Sequence, residues 1–531
     1  MASQVILYDT TLRDGTQGEK VSFSAEDKLR VAQKLDQLGI HYIEGGWPGS
    51  NPKDARFFEM AAKYNFKQAR MTAFGSTCRP GSKPEDDANI QALLAAQTQA
   101  VALFGKSWDL HVTEIFGTTL EENLRMIRDS VAYLKAQGRE VLYDAEHFFD
   151  GFKKNPDYAL KSVLAAQEAG ADYLTLCDTN GGALPQELTE IINQIKASLH
   201  RPLGIHVHND GGVAVANTLA AVAQGITMVQ GTINGYGERC GNADLITVIG
   251  NLQLKLGHHC LPPENLAQLK EVSRYVSDLA NLPPTNDQPF VGKSAFAHKA
   301  GVHVSAVLKN PIAYEHIDPV MVGANRRVLV SDLSGKSNIR FKAEELGLDL
   351  GRNGADSQKI VKTIKALEDE GYQFDAAEGS FELLVKKLTG QFKAPFTLES
   401  LRVIIEKGVL CQGLTQATIK VSVGSEEEIT AAEGDGPVNA MDNALRKALH
   451  KFFPKLEEVR LVDFKVRVVE GTEGTGARVK VLIESADHEQ NWSTMGVSEN
   501  IIEASWLALV DSLQYKLCQD EEKMRRTQAQ V

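Results

Sequence analysis

The first half of the chain alternates between short apolar stretches and longer stretches with helical periodicity. Between most apolar stretches, apolar residues recur every three or four positions, which is the pattern of an amphipathic helix. At several junctions the helical pattern stops at a glycine, a common helix C-cap, and an apolar strand begins within three residues. The pattern predicts eight β-strands, at Val5–Asp9, Tyr42–Gly45, Ala69–Gly75, Val101–Phe104, Glu140–His147, Tyr173–Thr179, Leu203–Asn209 and Thr227–Asn234.

Repeated strand–helix units imply parallel strands joined by right-handed crossovers. Eight units up to about residue 257 predict an α/β fold, a TIM (β/α)8 barrel that we assign to residues 1–280. A doubly wound open sheet is the alternative, although such a sheet normally has fewer strands. Polar residues favour the barrel because they follow the strands, where the catalytic groups of TIM barrels gather. They are Arg13, Asp14, Glu44, Glu146, His147, Asp178, Thr179, Asn180, His206, His208, Asp210, Asn234, Glu238, Arg239 and Asn242.

The repeat ends in a region that proline pairs interrupt, at Pro262-Pro263 and Pro283-Pro284. Proline pairs mark turns and loops, so a different organisation is expected beyond them. Residues 281–395 predict small helical subdomains, with helices at Phe296–Val307, Asp356–Asp369 and Phe381–Leu388.

Residues 396–531 are richer in strands and predict a separate C-terminal α+β domain. Helices at Ala440–Phe452 and Asn500–Gln514 each follow a group of strands, which predicts a duplicated strand–strand–strand–helix unit. The charged segment Glu521–Val531 is predicted to be a frayed tail. The individual strands are predicted at Leu401–Glu406, Gln416–Val423, Glu457–Val468 and Ala477–Glu484.

Composition narrows the class of protein. The chain has 531 residues, of which 43% are hydrophobic and 24% charged, as in ordinary globular proteins. A formal net charge of −12 argues against nucleic acid or an anionic membrane as partner. No apolar run is long enough to span a bilayer, and no signal peptide precedes the first motif. Six scattered cysteines without a CxxC indicate reduced thiols in the cytoplasm.

The segment His206-Val207-His208-Asn209-Asp210 ends the seventh predicted strand. Residues two apart on a strand share a face, so both imidazoles point the same way. This pattern favours a divalent-metal site for Mn²⁺, Mg²⁺, Co²⁺ or Zn²⁺ over a pair of core histidines. Asp14 is the expected carboxylate ligand because strands 1, 7 and 8 adjoin in a closed barrel, and Asn242 can add an oxygen.

Two further charged residues suit catalysis. Arg13 can stabilise negative charge on a carbonyl oxygen, or it can form a structural ion pair across the barrel mouth. Glu146 ends an apolar strand, where burial would suit it to proton transfer, although a structural bond to a loop amide is the alternative. The glycine-rich loop 234–242 can bind phosphate at a helix N-terminus or form a tight turn.

The motifs DTTLRDGTQ, CDTNG, HVHND and NGYGERCGN together resemble the acyl-CoA-dependent condensing enzymes that include the isopropylmalate, homocitrate and citramalate synthases. The resemblance covers essentially the whole chain. EGDGPVNAMDNAL and MGVSENIIEAS are similar to the allosteric amino-acid-binding domain of that family. YDAEHFFDG and GWPGSNPKD are most similar to the citramalate-forming members.

The resemblance implies a role for individual residues of this chain. Arg13, Glu146 and Thr179 would contact the 2-oxo acid. Asp144 would line the oxo-acid pocket, at a position where some relatives carry an aromatic residue. His303 lies outside the barrel and alone would more often be a core residue, but with Tyr314 it matches catalytic positions that act on the partner's barrel in a homodimer. The implied metal ligands are Asp14, His206, His208 and Asn242.

The implied reaction condenses acetyl-CoA with pyruvate and hydrolyses the thioester to citramalate and CoA, for isoleucine biosynthesis. His303, with Glu146 through a water, would remove the acetyl proton. Isoleucine is the expected inhibitor. Three alternatives remain: a 2-isopropylmalate synthase that uses 2-oxoisovalerate, an acyl-CoA lyase with the same barrel, and a metabolite sensor without turnover.

Overall fold

A computed structural model describes residues 3–331, 334, 336–345, 355–408, 411–469 and 477–529. The chain divides into two compact units. The first consists of Met1–Phe296 and His316–Arg326, and the second of Ala297–Glu315 and Arg327–Val531. The expected division into three domains, at residues 280 and 395, stays a prediction.

Eight parallel strands form a closed barrel in the first unit, in the order β1 to β8. The strand β1 pairs with β2 on one side and with β8 on the other, which closes the sheet. The predicted TIM barrel is therefore confirmed, and the open sheet is wrong. The strands are β1 Ile6–Asp9, β2 Tyr42–Gly46, β3 Arg70–Ser76, β4 Ala100–Lys106, β5 Glu140–Glu146, β6 Tyr173–Asp178, β7 Leu203–Val207 and β8 Met228–Gly231.

Ten helices of the first unit follow in chain order. The sequence sets their ends: in α1 a reciprocal capping box joins Ser24 and Asp27, and Gly39 ends the helix with a φ of 101° that favours glycine. The helices are α1 Ala25–Leu38, α2 Pro52–Ala61, α3 Ala88–Ala95, α4 Leu120–Ala136, α5 Phe148–Lys154, α6 Pro156–Glu168, α7 Pro185–Ile195, α8 Ala214–Ala223, α9 Leu245–Leu254 and α10 Leu269–Leu279.

The inner face of the barrel changes from apolar to polar along the strands. Tyr42, Leu142 and Met228 belong to one buried apolar cluster. Two residues further along the same strands, and hence on the same face, stand Glu44, Asp144 and Gln230. The polar site therefore lies on top of an apolar plug at the carboxyl ends of the strands.

The second unit begins with two short strands, β9 Ala297–His298 and β10 Arg327–Val328, which pair in parallel. The expected helix Phe296–Val307 is therefore wrong in its first residues, because Ala297 and His298 are held in this pairing and Ala300 is extended. The helices are α11 Gly301–Lys309, α12 Lys336–Glu345, α13 Ala355–Asp369 and α14 Glu378–Leu388.

The C-terminal part contains two antiparallel three-stranded sheets, each followed by a helix. The predicted duplication is confirmed. The expected frayed tail is wrong through residue 529, because the last helix continues and ion pairs such as Arg525–Glu521 support it. No helix in the described ranges is long and apolar enough to cross a membrane. The elements are β11 Thr397–Gly408, β12 Cys411–Val423, β13 Glu426–Gly434, α15 Pro437–His450, β14 Arg460–Val468, β15 Val479–Ala486, β16 Asn491–Ser498 and α16 Ile501–Ala529.

Candidate metal centre and active site

Three buried side chains converge where the first strand meets the last ones. Asp14 follows β1, His206 lies in β7, and His208 follows that strand. Asp14 Oδ2 is 3.3 Å from His206 Nε2 and 3.5 Å from His208 Nε2. The potential ligand atoms all lie within 4.8 Å of one another. One carboxylate and two imidazoles at this spacing form a candidate divalent-metal site.

Asn242 joins this group through β8 and the loop after it. It forms an isolated bridge with His208, and its Nδ2 donates to Asp14 Oδ2 at 3.0 Å. Its Oδ1 is buried and has no hydrogen-bond partner in the described part of the chain. A buried, unpaired oxygen beside a carboxylate and two imidazoles is what a bound cation would satisfy, so these residues fit a divalent metal.

The charges around Asp14 keep its carboxylate ionised. Burial alone would raise the pKa of Asp14, but the Arg13 guanidinium and hydrogen bonds from both histidines hold that pKa well below its ordinary value. Burial alone would lower the pKa of His206, but Asp14 more than offsets it and raises that pKa. The carboxylate is therefore available as an anionic ligand, and a metal would compete with a proton for His206.

The two histidines differ in what faces their other ring nitrogen. His206 Nδ1 lies 3.0 Å from Gln230 Oε1. His208 Nδ1 lies 2.6 Å from Arg239 Nη2, and that guanidinium also donates to Thr179 O and to Asp210. The sequence analysis named the residues of this group that stand at or after strand ends, but it did not name Gln230. The one sequence feature that could have identified Gln230 is a polar side chain within the short apolar strand β8.

Arg13 is fixed by its surroundings. Its Nε donates to Glu44 Oε1 at 2.5 Å, and its Nη1 lies 3.3 Å from Asp14 Oδ1. Glu44 also accepts hydrogen bonds from Thr10 and Tyr8. The guanidinium carbon lies 3.7 Å from the centre of the Phe74 ring, a cation–π contact. Arg13 therefore forms ion pairs with Asp14 and Glu44 and also lines the cavity, so its catalytic role stays a prediction.

Glu146 ends β5 as expected, but its environment differs from the expectation. Its side chain is 24% exposed and forms an ion pair with Lys106, which ends the neighbouring strand β4. The expected burial is therefore wrong, because Glu146 reaches the rim of the barrel where solvent has access. Lys106 was not among the predicted site residues, since nothing in the sequence shows that β4 and β5 pair in this register.

One cavity of about 220 Å³ connects these groups. Three aromatic rings, those of Trp47, Phe74 and Phe104, pack edge-to-face or stacked with centroids 5.2 to 5.7 Å apart and form an apolar wall. The other lining residues are Arg13, Asp14, Gln17, Asp144, Glu146, Cys177, Thr179, His206, His208, Glu238 and Arg239.

Asp144 and Thr179 are the other two residues predicted for the substrate pocket. Burial, with the nearby Glu44 charge, raises the pKa of Asp144 to about 6. Thr179 Oγ1 accepts a hydrogen bond from the His147 amide at 2.8 Å. Both side chains line the cavity, as the resemblance implied for a substrate pocket.

The glycine-rich loop is a tight turn. A Cβ on Gly241, whose φ is 85°, would lie 2.0 Å from Gly235 O. The helix α9 that follows is capped by Asp244, whose side chain accepts from the Ile246 amide. A carboxylate already occupies that helix N-terminus, which favours the tight-turn interpretation over phosphate binding.

His303 and Tyr314 lie in the second unit, with ring centroids 4.3 Å apart. Tyr314 is 47% exposed and His303 is also exposed, so the core-histidine interpretation is wrong. Beside them, the buried Glu315 pairs with His298 at 3.0 Å. The two rings form an accessible pair of polar groups.

Three family models match successive parts of the chain. The family model described as HMGL-like matches residues 4–276, which is half of the chain. The homocitrate synthase post-HMGL domain-like model matches residues 290–372, and the LeuA allosteric (dimerisation) domain matches residues 375–517. Among solved structures, an HMG-CoA lyase from Bacillus subtilis is 19% identical with a TM-score of 0.46, covering 54% of this chain and 98% of that one.

Curated relatives match over nearly the full length. The (R)-citramalate synthase of Geobacter sulfurreducens is 55% identical, covering 98% of this chain and 99% of the relative. That of Aquifex aeolicus is 54% identical with the same coverage. A 2-isopropylmalate synthase of Methanocaldococcus jannaschii is 31% identical, covering 98% of this chain and 96% of the relative. The chain therefore belongs to the family of the (R)-citramalate synthases.

Proposed function

We propose that the protein condenses acetyl-CoA with pyruvate and hydrolyses the resulting thioester, releasing (R)-citramalate and CoA. The main support is the meeting of Asp14, His206 and His208 with Arg13 at one cavity. Five (R)-citramalate synthases at 47–55% identity support the choice of reaction.

Asp14, His206, His208 and Asn242 would hold a divalent ion, with Mn²⁺, Mg²⁺, Co²⁺ and Zn²⁺ all compatible with this donor set. Such an ion supplies Lewis acidity toward a carbonyl oxygen. Arg13 would orient the 2-oxo acid and stabilise the negative charge that its 2-oxo oxygen gains when the new carbon–carbon bond forms. Glu44 keeps the guanidinium in place for that purpose.

The apolar wall is the expected contact for the alkyl group of the oxo acid. Trp47, Phe74 and Phe104 line the cavity, and the choice of pyruvate over 2-oxoisovalerate is supported by the five relatives at 47–55% identity. Thr179 and Asp144 would bound the opposite side of the oxo acid.

Proton transfer needs a base near the acetyl methyl group. Glu146, held by Lys106 at the rim, is suited to act through a water, and His303 with Tyr314 would complete the site from the partner subunit of a homodimer. The base takes a methyl proton, the methyl carbon bonds to the oxo carbon, and the alkoxide is protonated. Water then attacks the thioester carbonyl, and CoA leaves as the thiol.

The test is thiol release by purified, metal-replete protein given acetyl-CoA and, separately, pyruvate, 2-oxoisovalerate, 2-oxoglutarate or oxaloacetate. Preference for pyruvate is expected. Preference for 2-oxoisovalerate would keep the mechanism and change the substrate, whereas no thiol release with any oxo acid would leave the lyase or sensor alternatives.

Two variants separate metal binding from catalysis. Arg13→Ala should lower turnover by about 10² to 10³-fold while bound metal persists, as expected for the loss of a group that stabilises developing charge. His206→Ala should lose bound metal, measured by elemental analysis after gel filtration. Near-normal turnover in the first variant, or stoichiometric metal in the second, would contradict these roles.

The contribution of the partner subunit can be tested by mixing chains. Arg13→Ala removes a group of the barrel, and His303→Ala removes a group of the second unit. If His303 acts on the partner's barrel, refolding or exchanging the two inactive variants together should restore part of the activity. No recovery, despite dimers that demonstrably exchange, would place His303 in its own subunit's site.

Regulation is assigned to the C-terminal domain, where the LeuA allosteric (dimerisation) model matches. Isoleucine is expected to inhibit more strongly than leucine, and a chain that ends at residue 395 should no longer be inhibited. Unchanged inhibition of that shortened chain would contradict the assignment. Cys78, Cys177, Cys240, Cys260 and Cys518 are free thiols, which supports a reducing, cytoplasmic location.

A further inference from the structure

Gln230 occupies a buried position between the candidate metal site and the substrate pocket. It lies on the inner face of β8 and is 1% exposed. Its Oε1 lies 3.0 Å from His206 Nδ1, while its Nε2 lies 3.0 Å from Asp144 Oδ1 and 3.1 Å from Thr175 Oγ1. All three polar contacts of the amide are therefore made inside the barrel.

The chemistry of the partners fixes the orientation of this amide. An ionised carboxylate only accepts hydrogen bonds, so the NH₂ group of Gln230 must face Asp144. The carbonyl oxygen then faces His206, and because it can only accept, His206 Nδ1 must carry a hydrogen. In a neutral imidazole this leaves the lone pair on Nε2, which is the atom that faces Asp14.

We propose that Gln230 is a positioning residue that fixes His206 in the tautomer required for metal binding and, with its other end, holds Asp144 at the wall of the substrate pocket. A ligating histidine usually donates its second N–H to an acceptor of this kind, and loss of that acceptor typically weakens metal binding. Within the described part of the chain, His208 Nδ1 faces a guanidinium nitrogen of Arg239 instead of such an acceptor. Gln230 therefore fixes the tautomer of His206 and has no such effect on His208.

Two variants separate the contact of Gln230 with His206 from its contact with Asp144. Gln230→Met removes both the carbonyl oxygen and the NH₂ group while it keeps a side chain of similar length. Gln230→Glu keeps an acceptor for His206 but places a second carboxylate against Asp144. We expect Gln230→Met to weaken Co²⁺ binding by about 10 to 100-fold and to change the Co²⁺ absorption spectrum. We expect Gln230→Glu to bind Co²⁺ as tightly as the wild type or more tightly, with a raised KM for the oxo acid.

Gln253→Met is the matched control. The side-chain amide of Gln253 also makes partly buried hydrogen bonds: its Oε1 accepts from the Leu261 N–H at 3.0 Å, and its Nε2 donates to the Leu261 carbonyl at 2.9 Å. It contacts neither histidine. It should lower thermal stability and leave Co²⁺ affinity unchanged. If Gln230→Met does not fold, Gln230→Asn, whose side chain is shorter by one methylene, tests the same contact.

Wild-type Co²⁺ affinity in the folded Gln230 variant would overturn the proposal, as would an equal loss of affinity in Gln253→Met. The inference rests on the proposed metal-dependent reaction, but Co²⁺ titration requires no substrate. A wild-type protein that binds Co²⁺ through this site and releases no thiol would refute the proposed reaction and leave the role of Gln230 standing.

Discussion

Glu44→Gln is the substitution that best isolates the charge that holds Arg13. The Glu44 side chain is 1% exposed and accepts hydrogen bonds from Arg13, Thr10 and Tyr8. In the glutamine variant, Oε1 can still accept from Arg13 and Thr10, and the Tyr8 hydroxyl can turn to accept from the amide. The shape of the site is kept while one negative charge is lost.

The size of the effect follows from the change in that one bond. A hydrogen bond to a charged group contributes about 1.5–3 kcal/mol, against about 0.5–1.5 kcal/mol for a neutral one. The interaction of residue 44 with Arg13 therefore weakens by about 1–2 kcal/mol. If Arg13 acts in the transition state, this corresponds to a fall in kcat of about 5 to 30-fold. Glu44→Leu would instead leave a buried charge short of its partner, at a cost of about 3–5 kcal/mol of unfolding free energy.

The assay is kcat from CoA-thiol release with saturating acetyl-CoA and pyruvate, measured beside Mn²⁺ affinity and urea unfolding. Mn²⁺ affinity should stay within about threefold, since Glu44 is not a ligand. Glu140→Gln is the control, because Glu140 also accepts from a tyrosine and an arginine, Tyr42 and Arg70, but begins β5 at the opposite end of the barrel. Equal kcat losses in both variants, or none in Glu44→Gln, would refute the reasoning.

Three other outcomes follow from buried groups of the barrel. Burial raises the pKa of the Asp9 carboxyl from 3.8 to about 7 against the hydrogen bonds from Thr11. The unfolded chain releases this proton at lower pH than the folded one, so folding loses up to about 4 kcal/mol as the pH rises from about 4 to above 7, and Asp9→Asn should remove that component from urea titrations. Phe74→Leu removes the cation–π contact with Arg13 and widens the cavity. We expect a several-fold lower kcat/KM for pyruvate and a higher ratio of kcat/KM for 2-oxobutanoate to kcat/KM for pyruvate. An unchanged ratio would contradict the assignment of these aromatic rings to the wall of the substrate pocket. Burial lowers the pKa of His206 but Asp14 raises it overall, so Mn²⁺ affinity should rise by about tenfold per pH unit while that proton is displaced, and an affinity that does not vary between about pH 5 and 8 would contradict the ligand assignment.

The convergence of Asp14, His206 and His208 could be predicted from the sequence, because it depends on two rules that need no coordinates. Alternate residues of a strand share a face, and the first and last strands of a closed barrel are neighbours. The aromatic wall could not be predicted in this way. Trp47, Phe74 and Phe104 belong to different βα units, and their meeting depends on the register of β2, β3 and β4.

The errors also have local causes. Glu146 stands at the end of an apolar strand, which suggested burial, but the exposure of a strand-end residue depends on the loops around it and on the partner Lys106. Ala297 and His298 fit a helical pattern, but strand pairing with Arg327 and Val328 keeps them extended. The sequence around residue 297 does not predict this pairing, because the partner strand lies 30 residues further along the chain. In both cases the error arose because a contact with residues distant in sequence determines the exposure or the backbone conformation.

The position of the candidate metal site at the junction between β1 and β8 has a consequence for how the chain acquires activity. Asp14 and Asn242, which contact each other there, are separated by 228 residues, so the site is incomplete until the last strand has been synthesised and has docked against the first. No fragment that lacks β8 can bind the ion in this way, and an ion bound across the junction opposes its reopening. At a free concentration 100 times its Kd, such an ion would add about 2.7 kcal/mol to the stability of the closed barrel. If these residues hold the metal as proposed, the ion links the two ends of the barrel sheet. Removal of the metal should then speed the unfolding of the whole catalytic unit as well as stop the reaction.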